Sequence, residues 1–159
     1  MHKILELYNS INTFGKENEM KLEVVTDGHI RYTMPVMKKH LATPVAIHGG
    51  VLSAMMDGIL GVAALSASCH DGKLVSTVEF KINYLAPARL DDVLVGEGKV
   101  IQKGNRLIIA EGTIKLINSD KLIAIGNGTF SAYPIAKAGI YEQLSDSQKD
   151  ILGEEYISK

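Results

Sequence analysis

The segment VAIHGGVLSAMMDGILGVAALSAS, residues 45–68, constrains the fold more than any other part of this chain. A surface helix has one apolar stripe, whereas apolar residues here cover almost the whole circumference of the predicted helix. They are Val51, Leu52, Met55, Met56, Ile59, Leu60, Val62, Ala63 and Leu65. Such a helix must be enclosed by other elements. Because Asp57 and several glycines and serines interrupt the apolar run, we expect a core helix and not a membrane span.

The rest of the chain shows mainly strand-like patterns. Asp27 and Gly28 separate LEVV from HIRYTM and predict a hairpin. The segment KLVSTVEFKINYL alternates, which predicts a strand with one face on the core, and the residues of one face are Val78, Phe80, Ile82 and Tyr84. DVLVGEGKVIQ, RLIIAEGTIKLIN and KLIAIGNGTFSAY follow and predict an antiparallel meander. We therefore expect an α+β structure in which five to six curved antiparallel strands wrap one long helix, the hotdog fold.

Length and composition limit the classes of protein. The 159 residues predict a single domain over 1–159, with its core at about 20–133, a short N-terminal helix at 2–14 and a polar tail at 139–159. The net charge of −1 provides no basic face for nucleic acid. Lys3 and Glu6 interrupt any signal-peptide core, and the one cysteine, Cys69, cannot form an internal disulfide. We expect a cytoplasmic protein with neither a nucleic-acid nor a membrane partner.

Two strings carry a family resemblance. HGGVLSAMMDGILGVAAL, followed by STVEFKINYLAPAR, resembles the phenylacetate-pathway branch of the hotdog-fold acyl-CoA thioesterases, in the superfamily of 4-hydroxybenzoyl-CoA thioesterase. The resemblance extends over about residues 20–133. It implies hydrolysis of acyl-CoA to free acid and CoA. The resemblance also implies a homodimer or homotetramer with active sites across the dimer interface. The histidines show no metal-ligand spacing and the chain has no dinucleotide or phosphate-loop motif, so we expect no cofactor or metal.

Asp57 is the principal candidate catalytic residue. A carboxylate among apolar neighbours costs several kcal/mol unless it is paired, hydrogen-bonded or protonated. The resemblance implies that Asp57 acts on the thioester, either as general base toward water or as a nucleophile that forms a mixed anhydride. The alternative is structural: Asp57 faces a solvated gap or bonds a backbone group.

The triplet His48-Gly49-Gly50 stands where the helix begins. A helix N-terminus presents unpaired N–H groups, and glycine allows a carbonyl oxygen to approach the backbone closely. The resemblance implies that the Gly49 amide polarises the thioester carbonyl, that His48 orients substrate or thiolate, and that Gly50 contributes to substrate binding. The alternative is that both glycines only permit a tight turn.

The spacing along the helix sets Asp57 apart from the triplet at residues 48–50. Gly49 and Asp57 lie about 12 Å apart along one helix axis, and His48 and Asp57 face nearly opposite sides. One chain cannot readily present both groups to one carbonyl. We therefore expect Gly49 of one subunit to meet Asp57 of a second across a two-fold interface.

Further candidate residues lie on strands and turns. The resemblance matches Thr77 to a hydroxyl that helps to place the attacking water, with Ser76 as the counterpart if the register differs by one. Arg89, Lys103 and Arg106 are candidate contacts for the CoA phosphates, grouped with Gly50 as substrate-binding residues. Where the family commonly has asparagine and glycine ahead of the histidine, this chain has Ala42 and Val45.

Several interpretations remain open on sequence alone. His40 is a candidate replacement for the missing asparagine, or the substrate differs from the aryl-CoA and short acyl-CoA esters that many relatives accept. Cys69 is expected to be a buried bystander thiol. The alternative functions are a hotdog enoyl-thioester hydratase or dehydratase and a non-enzymatic acyl-CoA-binding module.

Overall fold

A six-stranded antiparallel sheet curls around one long helix that spans Gly49–Ser68. The computed structural model describes residues 1–153 and 156. Positions 154, 155 and 157–159 of the predicted polar tail lie outside the described residues. The predicted fold class, a curved antiparallel sheet wrapped around a central helix, is confirmed.

The chain begins with two short helices, α1 (Lys3–Ile11) and α2 (Thr13–Glu17). Strands β1 (Lys21–Thr26) and β2 (His29–Pro35) form a hairpin, and a two-stranded ribbon of β3 (Leu41–Thr43) and β4 (Ala46–Ile47) precedes the central helix α3. The remaining elements, in chain order, are β5 (Lys73–Tyr84), β6 (Val93–Lys103), β7 (Leu107–Leu116), β8 (Leu122–Pro134) and α4 (Asp146–Leu152).

Local sequence explains the turns that connect this sheet. Its strand order is β1-β2-β6-β7-β8-β5, so the predicted meander forms the centre of the sheet and β5 forms one edge. The predicted hairpin turn lies at Asp27 and Gly28, where Gly28 adopts a φ of 77°, a conformation that glycine reaches without steric cost. Gly72, with a φ of 66°, ends the single helical turn at Cys69–Asp71 and starts β5.

The helix α3 is buried on most of its surface, as its all-round apolar composition predicts. Met55, Met56, Ile59 and Leu60 are fully buried beneath the sheet. By length and apolar composition alone, the segment Gly49–Asp71 would be long enough to cross a membrane. Core helices share that composition, because they too are surrounded by apolar atoms.

Glycines in the strands allow α3 to lie very close to the sheet. A Cβ added at Gly96 would stand 2.1 Å from Cδ1 of Ile59, and one added at Gly98 would stand 2.5 Å from the Ile59 backbone oxygen. At Gly126 the added atom would meet Cγ of Met56 at 3.0 Å. The inner face of the sheet therefore has glycines, without side chains, where the large residues of α3 pack against it.

The prediction for β5 was wrong in part. Phe80 and Ile82 are half-buried, but Val78 is 58% exposed and Tyr84 is 51% exposed. The cause at Val78 is a bulge in the pairing with β8 between Thr77 and Glu79. A bulge inserts one residue into a strand and so breaks the two-residue alternation of faces.

We expect Gly98→Ala to destabilise the protein by about 1–3 kcal/mol, because the new methyl group meets a backbone oxygen that cannot move aside. Urea unfolding at a fixed protein concentration measures the change in the free energy of unfolding. Gly58→Ala in α3 is the control, since its Cβ would meet only Cε of Met20 at 3.8 Å. Equal stability of Gly98→Ala and wild type would contradict the close contact between helix and sheet.

Candidate active site

Asp57 lies in the middle of α3 and is only half-buried, facing β5. The hydroxyl Oγ1 of Thr77 donates a hydrogen bond of 2.8 Å to Oδ1 of Asp57. The hydroxyl of Ser76 instead donates to the Tyr133 hydroxyl at 3.1 Å, on the strand β8 next to β5. Of the two hydroxyl residues that the sequence offers, Thr77 is therefore the one paired with the carboxylate.

The N-terminus of α3 is capped by the side chain of His48. Its Nδ1 accepts a hydrogen bond of 2.8 Å from the backbone N–H of Gly50. Gly49 occupies the first helical position, whose N–H has no acceptor within its own helix. The Gly50 amide is thus engaged by His48, whereas the Gly49 N–H at the first helical position is not used by this cap.

Two hydroxyl residues at this end of α3 were missed by the sequence analysis. The Tyr84 hydroxyl donates to the backbone oxygen of Gly49 at 3.1 Å and lies 2.5 Å from Oγ of Ser53. Alternation along β5 assigned Tyr84 to the core, and Ser53 had no signal beyond its place one helical turn after Gly49. Together they hold the backbone of the first turn of α3 against the end of β5.

A pocket of about 360 Å³ opens beside Asp57 and Thr77. Its other walls are mostly apolar side chains and glycines of α1, α3, β5 and β8, together with Ile140. The Tyr8 phenol lies in this pocket, and burial, with a smaller contribution from the Asp57 charge, raises its pKa. The candidate carboxylate therefore borders an apolar cavity large enough for part of a ligand.

The three predicted phosphate contacts lie in different surroundings. Arg106 lines a second pocket, of about 330 Å³, together with Lys73 and Lys137. Lys103 is engaged in an ion pair of 2.8 Å with Asp71. Arg89 is exposed in the turn before β6, where its backbone N–H donates to Asp92. Lys103 also lines a cavity with Lys99, but an acidic residue, Asp27, lines that cavity too, whereas the charged residues around Arg106 are all cations.

His40 and Cys69, which the sequence analysis considered for chemical roles, are both buried in the structure. His40 is buried, with Nε2 at 2.8 Å from Oδ1 of Asn18 and Nδ1 accepting from the Met37 N–H, so neither ring nitrogen is left for a substrate. Cys69 is fully buried, and burial raises the pKa of its thiol to about 11, which disfavours the nucleophilic thiolate. Within residues 1–153 and 156, no group of three His, Cys, Asp or Glu side chains is placed to hold a metal ion.

Comparisons with known proteins show which families this chain is similar to. Residues 46–122 match the family model described as the Thioesterase superfamily. A candidate esterase of Archaeoglobus fulgidus is 34% identical over 104 residues, which are 65% of this chain and 64% of that protein. Acyl-coenzyme A thioesterase 13 of Homo sapiens is 28% identical over 102 residues, which are 64% of this chain and 71% of that protein. The chain thus matches less than two thirds of the archaeal relative's length.

Solved structures are similar over more of the chain. A hypothetical thioesterase of Streptococcus pneumoniae, solved with coenzyme A, is 26% identical with a TM-score of 0.66. The alignment covers 72% of this chain and 86% of that chain. Both α3 and β5 lie within the sequence range of the family match, whereas α1 lies outside it.

We expect His48→Ala to lower the free energy of unfolding by about 1 kcal/mol, because the Gly50 N–H loses its side-chain acceptor. His48→Asn is the matched control, since asparagine is among the best N-cap residues and should preserve stability. Thermal and urea unfolding of both variants measure the difference. Two equally destabilised variants would show that the His48 ring acts by a contact other than capping.

Proposed function

We propose that this chain is a member of the Thioesterase superfamily, whose model matches residues 46–122, and that it hydrolyses acyl-CoA thioesters to the free acid and CoA. The observation that carries the proposal is the Asp57 carboxylate held by Thr77 beside an apolar pocket. A matched thioesterase binds coenzyme A in its crystal structure, which supports the same substrate class here. We place the chain in the phenylacetate-pathway branch and in the cytoplasm as parts of the same proposal.

The strand β5 supports a site shared by two subunits. Thr77, in the first half of β5, contacts Asp57, whereas Tyr84, its last residue, contacts Gly49. At about 3.3 Å per residue, Thr77 and Tyr84 lie roughly 23 Å apart along the strand. Two copies of β5 that pair antiparallel about a two-fold axis near Phe80 set Thr77 of one chain beside Tyr84 of the partner subunit. Asp57 then approaches Gly49 of the partner subunit.

The exposed edge of β5 supports the same assembly. Among the described residues, β5 pairs with β8 alone, and Val78 on this strand is 58% exposed. A long edge strand with unpaired backbone groups is a template for pairing with another chain. Dimerisation through β5 therefore covers an edge and completes the site in one step.

The proposed reaction assigns a separate task to each half of the site. Asp57 takes a proton from water as the water oxygen adds to the thioester carbon, while the Thr77 hydroxyl fixes one carboxylate oxygen. The Gly49 N–H of the partner subunit donates to the oxyanion of the tetrahedral intermediate. The C–S bond then breaks, and the CoA thiolate takes up the proton. We assign Arg106, with Lys73 and Lys137, to the CoA phosphates, because these three cations line one cavity.

We expect Asp57→Asn to lower kcat by about 10²–10⁴, or about 3–5 kcal/mol of transition-state stabilisation, with little change in KM. The variant keeps the volume of the side chain but removes its basicity. Release of free CoA from aromatic, short and long acyl-CoA esters measures the activity. Asp71→Asn, which removes an exposed carboxylate bonded to Lys103, is the control and should retain activity.

The same assay separates the alternatives. A folded Asp57→Asn protein that retains more than about a tenth of kcat, a loss below about 1.4 kcal/mol, would make Asp57 structural. Absence of CoA release from every ester by wild type would reject hydrolysis, and hydration of an enoyl-CoA would then identify a hydratase. In a single turnover in ¹⁸O-water, label in Asp57 would identify nucleophilic attack, with water opening the anhydride at the Asp57 carboxyl carbon. Label in the released acid is expected from general-base action and also from an anhydride that water opens at the acyl carbon.

A second prediction concerns the shared site. Chains carrying Gly49→Val and chains carrying Asp57→Asn should each be inactive, but unfolding and refolding an equal mixture should restore about a quarter of wild-type activity. The reason is that half of the dimers are mixed, and each mixed dimer has one intact site of two. Mass spectrometry of differently tagged chains verifies that mixed dimers form. Mixed dimers without activity would argue for a site within one chain.

A further inference from the structure

The pocket beside Asp57 is walled by a part of the chain outside the family match. Four residues of α1, spaced as one helical face, line it: Ile4, Leu7, Tyr8 and Ile11. This helix precedes residues 46–122, the range of the family match, and packs against α4 near the C-terminus. The pocket beside the carboxylate is thus completed by the N-terminal helix of this chain.

The opposite wall of the pocket is a face of α3 with small residues at the level of Asp57. Gly58 and Gly61 line the pocket directly after the carboxylate, and Phe130 of β8 closes the side next to Gly61. A Cβ at Gly61 would stand 3.3 Å from the Phe130 ring, so the absence of a side chain keeps this part of the cavity open. Leu74 and Val75 of β5 supply further apolar surface.

The size and chemistry of the pocket define its occupant. At about 30 Å³ for a water-sized group, 360 Å³ holds roughly a dozen non-hydrogen atoms. Apart from Asp57, the lining residues carry no charge, and the hydroxyls belong to Tyr8, Ser76 and Thr77. A CoA moiety is too large and too polar for this cavity, whereas an apolar acyl group attached to a thioester beside Asp57 matches it.

We propose that this pocket binds the acyl group of the substrate and that α1 sets its size limit. The inference rests on the proposed thioesterase function and narrows it to compact apolar acyl groups of up to about ten carbons, including an aryl ring. Tyr8 and Ile11 then act as specificity-determining residues, since they are the partly exposed members of the α1 wall, whereas Ile4 and Leu7 are buried. A palmitoyl chain has more carbon atoms than this volume holds, so part of it would lie outside the pocket.

The test varies the wall and leaves the carboxylate unchanged. Ile11 is 38% exposed at the end of α1, so Ile11→Trp can fill the pocket without disturbing the core. Val25 on β1 is 39% exposed and does not line the pocket, which makes Val25→Trp a control matched in exposure and size. Gly61→Ala adds one methyl group to the opposite wall as an independent second variant. The readout is kcat/KM for acetyl-, butyryl-, octanoyl-, benzoyl- and palmitoyl-CoA.

We expect wild type to prefer butyryl-, octanoyl- or benzoyl-CoA over palmitoyl-CoA. Ile11→Trp and Gly61→Ala should lower kcat/KM for octanoyl-CoA at least tenfold relative to acetyl-CoA, and Val25→Trp should match wild type. Active, folded variants with an unchanged acyl preference would overturn the inference and leave the thioesterase function intact. So would a wild-type preference for palmitoyl-CoA.

A binding measurement keeps the inference testable if hydrolysis fails. Octanoyl-CoA with its thioester replaced by a non-hydrolysable thioether can be titrated calorimetrically against wild type and the same three variants. Binding that Ile11→Trp weakens at least tenfold and Val25→Trp leaves unchanged supports the acyl pocket, even if wild type releases no CoA. Equal affinities in all four proteins would reject it.

Discussion

The rest of the structure depends on the close contact between α3 and the strand glycines Gly96, Gly98 and Gly126. With Gly98 directly beneath the Ile59 backbone, the helix lies nearer to the strands than an alanine would allow. Because the interior is close-packed, this contact fixes the depth of α3 and its rotation about its axis. The direction of Asp57 toward β5, where Thr77 meets it, follows from that rotation.

The carboxylate of Asp57 occupies a border between two environments. Its own helix is apolar on almost every side, yet Asp57 itself is half-buried and hydrogen-bonded, so it does not bear the full cost of an unpaired buried charge. One side of it faces an apolar cavity, and the other faces the exposed strand β5. A thioester carbonyl beside Asp57 could therefore have its apolar acyl group in the cavity while water reaches the carbonyl from the β5 side.

Periodicity in the sequence predicted the parts of this structure that depend on local pattern. The all-round apolar character of α3 required enclosure, and alternation with turn residues indicated the strands of the sheet. Local pattern does not report a bulge, so the exposure of Val78 was missed, and with it part of the exposed edge of β5. Nor does it report which hydroxyl faces Asp57, because Thr77 and Ser76 are adjacent and only the pairing register separates them. The contribution of α1 to the pocket was not predicted, because it depends on contacts between residues that are far apart in the sequence.

The two edges of the sheet differ in a way that limits assembly. The β5 edge is twelve residues long, whereas β1 has six residues and an ion pair of 3.2 Å between its Glu23 and Arg31 of β2. Short and charged edges resist the addition of further strands. Growth by strand addition thus has one favourable edge per chain, and two chains that use it against each other leave none. In the dimer proposed above, this asymmetry would favour a closed pair over an open fibre.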